Sequence, residues 1–237
     1  MRSRRSAVSK QGWSTLNTNV PPGPSAPGAD QLLLVSSSDP GADAVELHRT
    51  AIDAAVTAGV GRILYTSHQG AGLDSPFKPA RDHAATEHLL AESGVAWTAL
   101  RNGSYAHSLN WLMGPWRETG VISIPTDGPV SWTAREDAAE GAAIILASNG
   151  AYGGLATLTA STAPTFDDVA VTASETAGRD FKMVVVGEAE WVAAQVAAGQ
   201  NEFTVGSPSA YSRPHTKGAS PVWTRSWPRS SVVNRAP

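Results

Sequence analysis

Three features of the chain predict an α/β fold built on a parallel sheet. Short apolar runs, QLLLV at 31–35, ILY at 63–65 and VAWTAL at 95–100, alternate with longer stretches of helical period, the pattern of strand–helix–strand units. A helical crossover returns the chain in the direction it left, so successive strands of this kind lie parallel. The runs also stop in polar residues: Ser36, Ser37 and Ser38, then Thr66, Ser67 and His68, then Arg101, Asn102 and Gly103. Parallel sheets meet their ligands beyond the carboxyl ends of the strands, so these tips are the expected site.

In order, residues 1–28 show no apolar period and break up in Pro-Pro-Gly-Pro and Pro-Gly. Such a segment buries too little apolar surface to offset the entropy of ordering it. A disordered leader is expected, its Arg- and Ser-rich composition also being that of a transit peptide. The first strand is continuously apolar, as in strands covered on both faces. From 43 to 58, Val45, Ile52, Ala55 and Val56 recur near helical spacing, and Gly59 stands where a helix ends. After the second strand a Gly- and Pro-rich loop leads to a helix from about 79 to 92, ended by Gly94. It carries His83 and Glu87 at i, i+4 on what reads as a solvated face. Lys78 reads as a loop charge, and His48, His88 and His107 as surface residues.

Past the third strand, Tyr105, Leu109, Leu112 and Trp116 follow i, i+4, i+7 and i+11, which predicts one amphipathic helix with an inward aromatic face. Tyr105 is expected to be partly buried, its hydroxyl needing a partner. A strand at 121–124 comes next, then a helix to about 147 opened by a capping box of Thr133 and Glu136. A short strand at 157–159, a helix from Thr165 and Asp168 to Gly178, a strand at 183–186 and a helix at 188–198 complete a domain at 29–199. Residues 200–237 have no period of either kind and read as a disordered tail.

Composition narrows the function classes. The absence of cysteine excludes a disulfide scaffold, a thiolate zinc site and a cysteine nucleophile. The net charge of −3 is segregated: residues 1–30 carry +3 and residues 201–237 carry +4, leaving nine basic against nineteen acidic groups, −10, between them. An acidic middle is a poor surface for phosphate backbones, so no nucleic-acid partner is expected. No run approaches the roughly 20 apolar residues of a membrane span and no secretory signal is visible at the start. A cytoplasmic protein without a membrane partner is the expectation.

Familiar catalytic signatures are missing. The glycines at 70 and 72 follow a strand, but Pro76 and Pro79 come too soon for the helix that a dinucleotide fingerprint requires. Gly59 and Gly61 lie between a helix and the next strand, the wrong context. No P-loop and no His-Glu-x-x-His zinc motif occurs, and no metal is expected. The Tyr-x-x-x-Lys pair of ordinary short-chain dehydrogenases is absent too: Gln69, Leu109, the alanine at 156 and His215 follow the four tyrosines at that spacing.

Four stretches nevertheless carry a resemblance: VSSSD at 35–39, AAVTAGVGRILYTSHQGA at 54–71, DHAATEHLLAESGVAWTALRNGSY at 82–105, and DGPVSWTAREDAAEGAAIIL at 127–146. Over about 29–198 the chain resembles the NmrA-like, atypical short-chain dehydrogenase family, closest to the bacterial NAD(P)H:quinone oxidoreductase type 2 branch. The resemblance implies a Rossmann-like parallel sheet with flanking helices, incomplete at the N-terminus, and a small C-terminal α/β part. It implies an NADP cofactor, with NAD as the alternative, and a small quinone-like substrate, with a homodimer compatible. Ser36, Ser37, Thr66, Ser67, Asn102, Gly103 and Tyr105 would then face the cofactor. His68, His83 and Tyr105 would be the catalytic candidates, with the imidazoles hydrogen-bonding a quinone oxygen and lending a proton.

The family's glycine-rich loop belongs on strands ahead of QLLLV, and residues 1–28 do not supply it. Weak or no cofactor binding is therefore expected of this chain. Three functions stay open: an NAD(P)H-dependent oxidoreductase, a dinucleotide-sensing regulator without turnover, and an inactive fragment lacking the pyrophosphate loop.

Overall fold

The computed structural model of the chain describes residues 29–200 apart from Ser38, Pro40 and Pro76. The expected leader at 1–28 and all but the first residue of the expected tail lie outside the described residues.

The first half is a run of strand–helix units: β1 (Gln31–Leu34), α1 (Ala44–Thr57), β2 (Arg62–His68), α2 (Lys78–Glu92) and β3 (Ala96–Asn102). These strands pair in parallel in chain order, and β7 (Gly154–Leu158) adds to the far edge of β3, also parallel. The result is a four-stranded sheet of order β1-β2-β3-β7. Asp43 opens α1 by accepting from the N–H groups of Val45 and Glu46, the usual use of aspartate at a helix start. Gly59, at φ +74, closes the same unit in a conformation open to glycine and costly for residues with a Cβ.

The strand pleat sorts the apolar side chains. Ile63, Tyr65 and Ala99 face α1 and α2 and pack with Ile52, Ala55 and Leu90. Leu64 and Leu100 face the other way, onto Ala142 and Ile145 of α5 (Arg135–Ala147). One long helix cannot cover that whole face, and Leu33 and Val35 stay 36% and 54% exposed. The α5 carboxyl end is held by β1 and β2: Arg62, 6% exposed, donates to Ile145 O and Thr98 Oγ1, while Gln31 Nε2 donates to Leu146 O. A cation there meets the negative end of the helix dipole.

The C-terminal part is built from two small parallel pairs. β4 (Ser104–Tyr105) pairs with β6 (Trp132–Thr133), and β5 (Val121–Ile124) with β8 (Lys182–Val185). They pack with α6 (Phe166–Ala177) and α7 (Glu188–Ala197) around Ile122, Ile124, Trp132, Phe166 and Trp191. The capping box expected at Thr165 and Asp168 is present, with both reciprocal bonds made, and Gly178 ends the helix in the left-handed region.

Two expectations fail here. The single helix expected over 105–116 is broken: Tyr105 belongs to β4, and a 3-10 turn (Ala106–Ser108), α3 (Leu109–Leu112) and α4 (Trp116–Thr119) follow. Gly114 at φ +62 and the ring of Pro115 stop the helix between the last two. The capping box expected of Thr133 and Glu136 does not form either. Ala134 is the first-turn cap, with no side-chain bond, because Thr133 lies in β6 and its hydroxyl donates to Ser131 O while accepting from Ala160 N.

Candidate functional site

Strand β2 is longer than its apolar run. Thr66, Ser67 and His68 are paired residues, in register with Leu100, Arg101 and Asn102 of β3, so the polar tip is a continuation of the sheet. Adjacent tips are tied directly. The Ser36 N–H donates to Thr66 Oγ1 at 2.8 Å, and the Thr66 hydroxyl donates onward to Ser36 Oγ at 3.2 Å. The tips of β1 and β2 therefore converge.

Behind them lies a chain of rings, His48 and Tyr65 buried and His83 and His68 half-buried. The Ser37 N–H donates to His48 Nε2 at 2.9 Å, so that nitrogen is unprotonated and the ring proton of the neutral imidazole sits on Nδ1. From there it reaches Thr86 Oγ1 at 2.9 Å, and the Thr86 hydroxyl donates to Asp82 O. The Tyr65 oxygen lies 3.5 Å from the same Nδ1 and accepts at the margin of that bond, which leaves its own proton to His83 Nδ1 at 2.8 Å. His83 stacks on His68 with centroids 6.2 Å apart, and His68 Nδ1 accepts from the Gly70 N–H.

Burial sets the protonation of this chain. Desolvation holds His48 below the ordinary histidine range, against the pull of Asp82. Desolvation, joined by His68 and His48, brings His83 down to about 3. Burial pushes the Tyr65 hydroxyl up, with Glu87 and Asp82 adding to it and a bond to Thr86 opposing. Near neutral pH buried His48 and half-buried His83 are thus uncharged and the phenol keeps its proton.

The surface reading of His48 and the solvated reading of His83 with Glu87 are both corrected. His48 is 1% and Glu87 8% exposed. His48 lies on the same stripe of α1 as Val45, Ile52 and Ala55, and that stripe faces the sheet. Glu87 turns to the strands instead of to His83: Ser67 Oγ donates to Glu87 Oε1 at 2.6 Å, and Arg101 bonds both carboxylate oxygens at 2.9 and 2.6 Å. Ser67, 4% exposed, spends its hydroxyl on that carboxylate. Lys78 opens α2 and pairs with Asp82 at 2.6 Å, where a loop charge was expected. His88 and His107 are exposed as expected.

The β3 tip carries the remaining candidates. Asn102, 6% exposed, donates from Nδ2 to the Tyr105 hydroxyl oxygen at 3.0 Å, while its Oδ1 is buried with no donor among the described residues. Gly103 is forced by packing: a Cβ there would stand 2.5 Å from Thr133 Oγ1 and 3.0 Å from Ser131 O. Arg135 at the start of α5 lies over the Tyr105 ring, 5.4 Å from its centroid, and donates to His107 Nε2. Tyr65 and His48 are participants that sequence reasoning missed, and Arg101, expected at the β3 tip, is spent on Glu87. The alternation that puts Tyr65 beside Ile63 and the helical stripe holding His48 were both available signals. No cluster of potential metal ligands occurs among the described residues, nor a helix long and apolar enough to cross a membrane.

No protein-family model matches the chain. It is 35% identical over 173 residues to quinone oxidoreductase 2 of Escherichia coli, a match covering 73% of this chain and 60% of that protein. It is 32% identical over 147 residues to an NmrA-like family domain-containing oxidoreductase of Aspergillus flavus, covering 61% of this chain and 48% of the relative. Among solved structures it is similar to an NADPH-dependent quinone oxidoreductase of Escherichia coli complexed with NADPH, with a TM-score of 0.67 and 32% identity. That match covers 78% of this chain and 65% of the other. The chain thus spans less than two thirds of the length of these relatives.

Proposed function

Because the chain is, over its described part, a homologue of quinone oxidoreductase 2 and of NmrA-like oxidoreductases, we propose that it is an NADP-dependent oxidoreductase reducing a quinone or similar carbonyl compound, with NAD as the alternative nucleotide. The observation that carries this reading is the proton chain from Tyr65, midway along β2, to His83, whose ring stacks on His68 at the β2 tip.

The tips fit the nicotinamide end of such a nucleotide. Asn102 Oδ1 is a buried acceptor lacking a donor, and a carboxamide NH₂ supplies what it lacks. The hydroxyls of Ser36, Thr66 and Tyr105 can meet a ribose. Ser37 contributes through its main chain, fixed by His48, and Gly103 through the close packing it permits. Ser67 we assign to holding α2 on the sheet, since its hydroxyl is already given to Glu87. Among the described residues no glycine turn from strand into helix is available for the pyrophosphate: β2 is followed by a loop that enters α2 through Phe77 and Lys78.

The bound nucleotide supplies a hydride, and the chain's own residues handle the proton. With Nδ1 accepting from Tyr65, the His83 ring carries its proton on Nε2, a donor suited to a quinone oxygen. As that oxygen gains charge it draws the Nε2 proton, and Nδ1 takes the proton of Tyr65 in turn, a transfer that burial of the phenol opposes and that a proton returned from solvent completes. The imidazole is neutral before and after the step, which fits its low basicity. His48, whose Nδ1–H approaches the Tyr65 oxygen, stabilises the charge left there. His68, stacked on His83, walls the ring against movement.

Following NADPH absorbance with the full-length chain and a benzoquinone acceptor tests the proposal. Quinone-dependent oxidation is the expected result. Saturable binding without oxidation would give the site to a dinucleotide sensor, and no binding at all would sink both readings.

A further inference from the structure

A second site lies on elements that carry none of the strand-tip residues. The start of α4, one face of α6 and the entry to β8 enclose an open groove of about 580 Å³, with Val169 and Ala173 among its apolar lining. That volume is in the range of small-molecule sites. Two aromatic rings, Trp116 and Phe181, form part of the wall and meet edge to face with centroids 5.2 Å apart.

Each ring carries a guanidinium. Arg117 stands 4.4 Å from the Trp116 centroid and Arg179 4.6 Å from that of Phe181, and both arginines line the groove. Stacking holds each planar fork by its face and leaves its N–H edges free to bind a carboxylate. Among the described residues neither arginine is in an ion pair, although Glu118 and Asp180 adjoin them in sequence. Trp116 adds a buried Nε1–H without an acceptor among the described residues.

We propose that this groove binds an amphiphilic carboxylate, its apolar body lying along α6 against the wall that Trp116 and Phe181 form together and its carboxylate held by Arg117 and Arg179. Charge complementarity selects this occupant: two unpaired cations at an apolar trough match a single anionic head on a hydrocarbon body. The chain's own segment 201–237, with five basic residues and one acidic, carries the wrong sign to fill it.

Titration of the full-length chain with decanoate by calorimetry tests this, with decanol as the uncharged control. The expected results are saturable decanoate binding and a loss of tenfold or more in affinity in the Arg117→Gln/Arg179→Gln double variant. Decanol should bind that variant and the parent alike. Ala173→Trp, which fills the trough, should remove both ligands while the thermal midpoint and the NADPH response stay as in the parent. The proposal is overturned if decanoate does not saturate, if it binds no better than decanol, or if the double variant binds it equally well. A concentration-dependent dimer lost in Ala173→Trp, without decanoate binding, would give the groove to a second copy and overturn it too.

Discussion

The Tyr65 hydroxyl stands 2.8 Å from His83 Nδ1, on the sheet-facing side of α2 and midway along the parallel strand β2. Tyr65→Phe keeps the ring, and with it the edge contact to His48 at 5.2 Å, while deleting the proton. Reductase turnover is expected to fall about tenfold to a hundredfold, the lower part of what positioned proton transfer contributes. Stability should fall by about 1 kcal/mol, the net worth of one hydrogen bond. Steady-state rates and urea denaturation read the two effects separately.

Two neutral, desolvated imidazoles, buried His48 and half-buried His83, make the fold acid-sensitive. His83, brought down to about 3, and His48, also lowered, both have folded values below the unfolded one. Above about pH 6.5 neither state is protonated and nothing changes. As pH falls below that, the unfolded chain takes up protons that the folded one refuses, so stability is lost, by at most about 1.4 kcal/mol per pH unit for each ring. The loss from His83 stops when its folded ring titrates near about 3. Urea midpoints measured from pH 7 to pH 4 should decline, and His83→Gln should flatten the decline.

Glu87 is the buried joint between α2 and two strands. Glu87→Ala leaves Ser67 without its acceptor and Arg101 without its counter-charge. Removing one member of a buried pair costs about 3–5 kcal/mol, and with the Arg101 side chain 23% exposed about 2–3 kcal/mol is expected after solvent screening. Denaturant titration measures it, and a change below half a kcal/mol would show the pair to be a surface one in effect.

Gly103→Ala should destabilise by about 1–3 kcal/mol, the usual cost of overpacking. The added Cβ meets Thr133 Oγ1 at 2.5 Å and the Ser131 carbonyl at 3.0 Å, so β6 must move off the β3 tip. Thermal melts should report the loss, and the Asn102–Tyr105 bond beside it should loosen enough to lower nucleotide response.

Much of this architecture was legible because alternation and helical spacing are local. The β1–α1–β2–α2–β3 order, the Thr165–Asp168 capping box and the closing glycines all follow from neighbours a few residues apart. The break at Gly114 and Pro115 was legible as well, but four apolar residues at helical spacing outweighed it. At the site, the polar tips were readable and the partners were not. His48 looked like a surface residue because its polarity outweighed its place on the apolar stripe of Val45, Ile52 and Ala55. Nothing local links Glu87 to Arg101, since they meet through the α2–β3 packing, and the orphaned oxygen of Asn102 exists only once β4 has drawn Tyr105 to its other end. Thr133 was misread because a strand claimed it before a helix could.

An isotope-edited NMR titration of the full-length chain with NADPH tests the central assignment most directly. Saturating shifts confined to Ser36, Thr66, Asn102, Tyr105 and the His83 ring, reduced by Asn102→Ala, are the predicted result. Shifts that saturate elsewhere in the domain while those five stay unmoved would contradict it.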